Sequence, residues 1–245
     1  MQPFNTTEVS SDHFFSYLKP HDFIELAEKL NSDELRSLVR SRFLENIPFS
    51  FKHKPLIYET MRAWIAREIK INPSEIVVIG SAKLGFSPTA HPNFGKKFGE
   101  GSDLDLTAIS EKLFNELNSD LESWIDDIKD ERISPKNETE KNHWKSSLNT
   151  LPKNARAGFL DPHKIPNKYL TAQLINQKMW ALNERLKASD PELTFKKCSM
   201  RIYKNWDAFT KQLMTNLNHA LSTLPSQHKT LLLARISHDR INKNG

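Results

Sequence analysis

Cysteine is nearly absent: the 245-residue chain has one, Cys198. No internal disulfide and no cysteine-based zinc spacing can form, which fits a reducing, cytoplasmic setting. The nine histidines are scattered, with none three or four residues from another, so no two-histidine metal face is expected on a helix. No apolar run approaches the roughly 20 residues of a membrane span. The polar start, Met1 to Ser11, lacks a signal-peptide core. The expected partners therefore exclude a membrane. No segment repeats.

What is present is an ordinary globular balance, 27% charged and 38% apolar residues. It has length enough for one large domain or two small ones. A net charge of +5 and a sequence pI of about 9.1 favour anionic partners such as nucleotides or RNA. Any mildly basic soluble protein shares that tendency, and oligomeric state is not legible.

Residues 1–70 read as a helical segment packed on the rest. A helix starts near Pro20, with Phe23, Ala27 and Leu30 on one face. Asn31-Ser32 restarts the chain, and Leu35, Leu38, Val39 and Phe43 form a second stripe. Leu56, Ile57, Met61, Trp64 and Ile65 form a third, ending near Lys70. The segment 71–225 holds the strands, and 226–245 is a basic tail. Ile76-Val77-Val78-Ile79 reads as a central strand buried on both faces. A loop at 86–101 with two prolines and three glycines leads to a second strand, Asp103 to Ile109.

Ser110 caps a long helix striped by Leu113, Phe114, Leu117, Leu121 and Trp124. Residues 129–142 read as an exposed connection, and 143–167, with three prolines, resist assignment. Tyr169–Leu186 reads as a helix, residues 193–203 as a bulged strand, and Trp206 to Leu221 as a last helix. Trp64, Trp124, Trp180 and Trp206 lie in helical stripes and read as core. The expected fold class is α/β (α+β): a small sheet surrounded by helices, not the regular alternation of a doubly wound fold.

Chemistry concentrates at the first two strands. Gly80-Ser81 follows Ile79, and Asp103-Leu104-Asp105 opens the second strand. Alternation places Asp103 and Asp105 on one face. Two carboxylates that close repel, and a divalent cation such as Mg²⁺ or Mn²⁺ is the usual reason to keep both. Lys83 follows Ser81 by two residues, near enough to offset phosphate charge. Lys96 and Lys97 in the glycine-bearing loop, and Lys196, Lys197, Arg201 and Lys204 near the late strand, are further candidate cations. Cys198 reads as a packed or surface thiol.

A strand ending in Gly80-Ser81, followed by a strand carrying Asp103-x-Asp105, resembles the DNA polymerase β-like nucleotidyltransferases. The resemblance covers roughly residues 76–109 and implies a mixed sheet of the nucleotidyltransferase type. It implies metal binding and catalysis at Asp103 and Asp105, NTP contacts at Gly80 and Ser81, and transfer of an NMP to a protein, RNA or nucleotide hydroxyl. The phrase Gly80-Ser81-Ala82-Lys83-Leu84-Gly85-Phe86-Ser87 also looks like one in bacterial nucleotidyltransferases near anti-phage or toxin–antitoxin genes. Two departures stand out: the loop between Ser81 and Asp103 is longer than the family shows, and no acid lies inside the late strand. Asp161 and Glu192 are the remaining candidates for a third carboxylate. Without one, a catalytically inactive binding module is the alternative, and a cyclic-oligonucleotide synthase a further one.

Overall fold

The computed structural model describes residues 16–224, apart from residues 100 and 194. Two helices open it, α1 (Pro20–Lys29) and α2 (Ser32–Arg40). Proline suits the first turn of α1, where its missing N–H is not needed. Asn31 caps α2: its side chain accepts from the Asp33 and Glu34 N–H groups while Glu34 reaches back to the Asn31 N–H. After α3 (Pro55–Ile69) come β1 (Ile76–Ile79), a single short helix α4 (Gly80–Leu84) and β2 (Leu104–Ile109). Then follow α5 (Glu111–Lys129), α6 (Glu138–Arg156), β3 (Phe159–Leu160), α7 (Leu170–Ser189), β4 (Cys198–Tyr203) and α8 (Trp206–Ser222).

The four strands form one mixed sheet in the order β1-β2-β4-β3. β1 runs antiparallel to β2, β2 parallel to β4, and β3 antiparallel to β4. Register assigns the faces. Ile76, Val78, Leu104, Leu106, Ala108, Met200, Ile202 and Leu160 share one face, and all are buried in the main core against α3, α5 and α7. Leu117 and Trp124 of α5, both 0% exposed, are among the side chains sealing it. Burial of this size is the main favourable contribution to folding.

The opposite face differs along its length. Val77, Ile109, Phe159 and Tyr203 pack beneath Phe209 of α8. Toward the other end the same face carries Asp105, Ser199 and Arg201, and is polar. The N-terminal helices sit near this end: Phe23, Leu38, Val39 and Phe43 share a cluster with Leu84, Phe86 and Leu217.

Several expectations change. Residues 138–156, read partly as exposed connection and partly left unassigned, form α6, a polar helix in which only Ser147 and Leu151 are buried. It carries Pro152, which removes one backbone donor yet does not end the helix. Strand character at 193–203 begins only at Cys198. Trp124 is core, but Trp180 is 71% exposed and Trp206 42%. The basic tail and its apolar run at 231–233 lie outside the described residues. No helix among the described residues is long and apolar enough to cross a membrane.

Candidate functional site

β1 ends where β2 and β4 begin, and the polar groups gather there. Gly80 sits at φ +68°, a conformation that L side chains rarely adopt. A Cβ at Gly80 would lie 3.5 Å from Asp105 Oδ2. The bare glycine backbone thus lies close to one oxygen of Asp105. The other oxygen, Oδ1, accepts a 2.6 Å hydrogen bond from Ser199 Oγ, whose residue stands directly across the β2–β4 pair. Asp103, one strand repeat earlier, sets Oδ2 3.6 Å from Lys197 Nζ. Its Oδ1 is buried with no hydrogen-bond partner among the described residues. A buried carboxylate oxygen without a donor is costly, and a bound cation would satisfy it.

Asp105, Ser199 and Lys197 line a cleft of about 640 Å³ with Gly80, Asp161, His163, Arg201 and His219. That volume lies within the range of small-molecule sites. Its apolar lining includes Phe23, Phe43, Leu213 and Leu217.

Asp161 follows β3 and is 3% exposed. Arg201 holds it with two bonds, Nε to Oδ1 at 2.7 Å and Nη2 to Oδ2 at 3.2 Å, and Lys164 Nζ lies 3.1 Å from Oδ2. Burial opposes ionisation of this carboxyl. The guanidinium and ammonium outweigh that and hold its pKa below the usual value. Asp161 is thus a neutralised partner of Arg201. Glu192, the other candidate for a third acid, pairs instead with Lys54 at 2.9 Å and does not line the cleft.

Lys83 lies elsewhere. It is 2% exposed, donates to the Asn46 carbonyl, and sits with Tyr17, Arg42 and Leu84. Burial lowers its pKa to about 7, with Arg62 adding to the fall. The expectation that Lys83 reaches a phosphate in the cleft does not fit this placement. Among the basic candidates near the late strand, Lys197 and Arg201 line the cleft, whereas Lys204 pairs with Glu111 at 3.4 Å. Lys96 and Lys97 do not line it. Ser81 occupies the first turn of α4, beside Gly80. Cys198 donates to Asn183 Oδ1 at 3.7 Å, and burial pushes its thiol up to about 12, which disfavours the thiolate.

The chain matches no known protein family, no curated protein and no solved structure. Among the described residues no group of three or more His, Cys, Asp or Glu could hold a metal ion. The oxygen donors near the turn are Asp105 and the Ser199 hydroxyl, which line the cleft, and Asp103, which like Ser81 does not line it. Such a hard set suits Mg²⁺, which keeps several waters and is often held by one or two carboxylates plus substrate phosphates. The buried Asp103 Oδ1, which lacks a hydrogen-bond donor, and Asp105 Oδ2 beside Gly80 are the oxygens such an ion would take.

Proposed function

We propose that this protein is a magnesium-dependent nucleotidyltransferase, moving an NMP from an NTP to a hydroxyl and releasing pyrophosphate. The observation that carries the reading is the approach of the left-handed Gly80 turn to Asp105 Oδ2. A substrate phosphate needs a backbone without a side chain, and its metal needs carboxylate oxygen beside it. Asp103 and Asp105 would hold the ion, and Gly80 and Ser81 would meet the triphosphate. Bound there, Mg²⁺ supplies charge stabilisation to an in-line phosphoryl displacement. Lys197, which lines the cleft, adds positive charge there. The acceptor hydroxyl forms the new bond to the α-phosphorus, the bond to pyrophosphate breaks, and an Asp103 or Asp105 carboxylate takes the proton. The resemblance to bacterial proteins near defence and toxin–antitoxin genes supports a role of that kind.

A second reading rests on Ser199. It stands across from Asp105, where a third acid would complete a metal cage, and Asp161 is already committed to Arg201. A nucleotide-binding module without turnover has this donor set too. The test incubates the full chain with Mg²⁺ and each α-labelled NTP, with bulk RNA or cell lysate as acceptor. Label on RNA, protein or a small product, lost in Asp103→Asn/Asp105→Asn, supports transfer. NTP binding without label transfer selects the binding module, and neither binding nor transfer rejects both.

A further inference from the structure

A larger groove, about 1220 Å³, runs beside the cleft between α6, α7 and the start of β4. The two share His163, Lys197, Ser199 and Met200, so the groove leads to the carboxylates. Its charge is one-sided: four lysines (Lys136, Lys164, Lys196 and Lys197) line it against a single acid, Glu140. Lys164 faces Asp161 and Lys197 faces Asp103, but the ammonium groups of Lys136 and Lys196 have no carboxylate partner among the described residues. The groove also holds Trp180, 71% exposed on the outer side of α7. An indole that exposed adds nothing to the core. Placed over a basic track, it offers a stacking surface for an unpaired base.

We propose that this groove is the acceptor channel and takes single-stranded nucleic acid, with a base on Trp180, phosphates along Lys136 and Lys196, and the 3′ end led toward Asp105. The inference rests on the nucleotidyltransferase reading for the chemistry, but not for the binding. An acidic polypeptide would satisfy the lysines and leave Trp180 without a role. A duplex would hide its bases from the indole.

The test is fluorescence anisotropy of labelled 12-mer oligo(U) and oligo(dT) with the full chain in EDTA, without NTP. Binding of either oligomer is expected, with oligo(U) favoured if the channel senses the 2′-hydroxyl and equal binding if it does not. Trp180→Ala should weaken binding roughly tenfold, and Trp180→Phe should restore most of it. Lys136→Ala/Lys196→Ala should lower the slope of log affinity against log salt by about 1.4, at about 0.7 per phosphate contact. All three positions are exposed, and unchanged melting temperatures verify folding. No binding at low salt would overturn the proposal, as would indifference to Trp180 or equal binding of a duplex or polyglutamate. Oligonucleotide binding without nucleotidyl transfer keeps the groove and removes the chemistry. Transfer onto protein without oligonucleotide binding does the reverse.

Discussion

Ser199 faces Asp105 across the parallel β2–β4 pair, and its hydroxyl donates to Asp105 Oδ1 at 2.6 Å. A hydrogen bond to a charged group contributes about 1.5–3 kcal/mol. Ser199→Ala should therefore destabilise the fold by about 1.5 kcal/mol, measured by chemical denaturation. Ser199→Asp puts a third acid opposite Asp105. It should melt lower than wild type in EDTA and gain more from millimolar Mg²⁺ than wild type does. A Ser199→Asp protein indifferent to Mg²⁺ would count against a metal at this position.

Gly80 contributes mainly by lacking a side chain. At φ +68° an alanine costs about 1–2 kcal/mol of backbone strain. Its methyl would sit at ordinary contact, 3.5 Å from Asp105 Oδ2. Gly80→Ala should fold with a modest loss of stability yet bind Mg²⁺–NTP at least tenfold more weakly by calorimetry. Equal affinity would place the phosphates elsewhere.

The buried Asp161–Arg201 pair is structural. Arg201→Met leaves a nearly buried carboxylate with Lys164 as its remaining cation, and should cost about 3 kcal/mol near pH 7. The pH dependence follows from the lowered native pKa of Asp161. Its contribution is complete above the unfolded value of 3.8 and is lost as pH falls through the lower native value. Asp161→Asn should remove that part of the acid-unfolding slope, read from urea midpoints between pH 5 and 2.

Lys83 works in the opposite direction. Its pKa falls from 10.5 to about 7 in the fold, so the unfolded chain binds the extra proton between those values. Stability should therefore rise with pH from about 7 to 10.5, and the penalty of the buried charge is fully present below 7. Lys83→Met should stabilise the protein at pH 6 and flatten that rise, as thermal melts across pH 6–10 would show. A Lys83→Met protein less stable than wild type at pH 6 would mean that the hydrogen bond to Asn46 outweighs desolvation.

Much of this architecture was legible because its periods are clean. Ile76–Ile79 is a run of four β-branched residues, and the structure has a strand with those bounds. Leu113, Phe114, Leu117, Leu121 and Trp124 repeat at helical spacing and are buried along α5. The helix α6 was not legible: its sequence is polar and prolines crowd the region, so no apolar stripe marks it. Lys83 misled for a geometric reason. Two residues along a helix turn the side chain by about 200°, so a lysine close to Ser81 in sequence leaves on the far side. Ser199 carried no local signal, and Trp180 read as core although it is exposed, since their settings depend on register and on the packing of segments far apart in the chain. The closeness of Gly80 to Asp105 follows from the antiparallel β1–β2 register, which pairs Ile79 with Asp105.

The most direct test is a Mn²⁺ titration followed by electron paramagnetic resonance, with a non-hydrolysable NTP analogue present. Wild type should deplete the free Mn²⁺ signal in a nucleotide-dependent way, and Asp103→Asn/Asp105→Asn should not. Equal depletion by both proteins, or none by wild type, would contradict a metal–nucleotide site at these carboxylates.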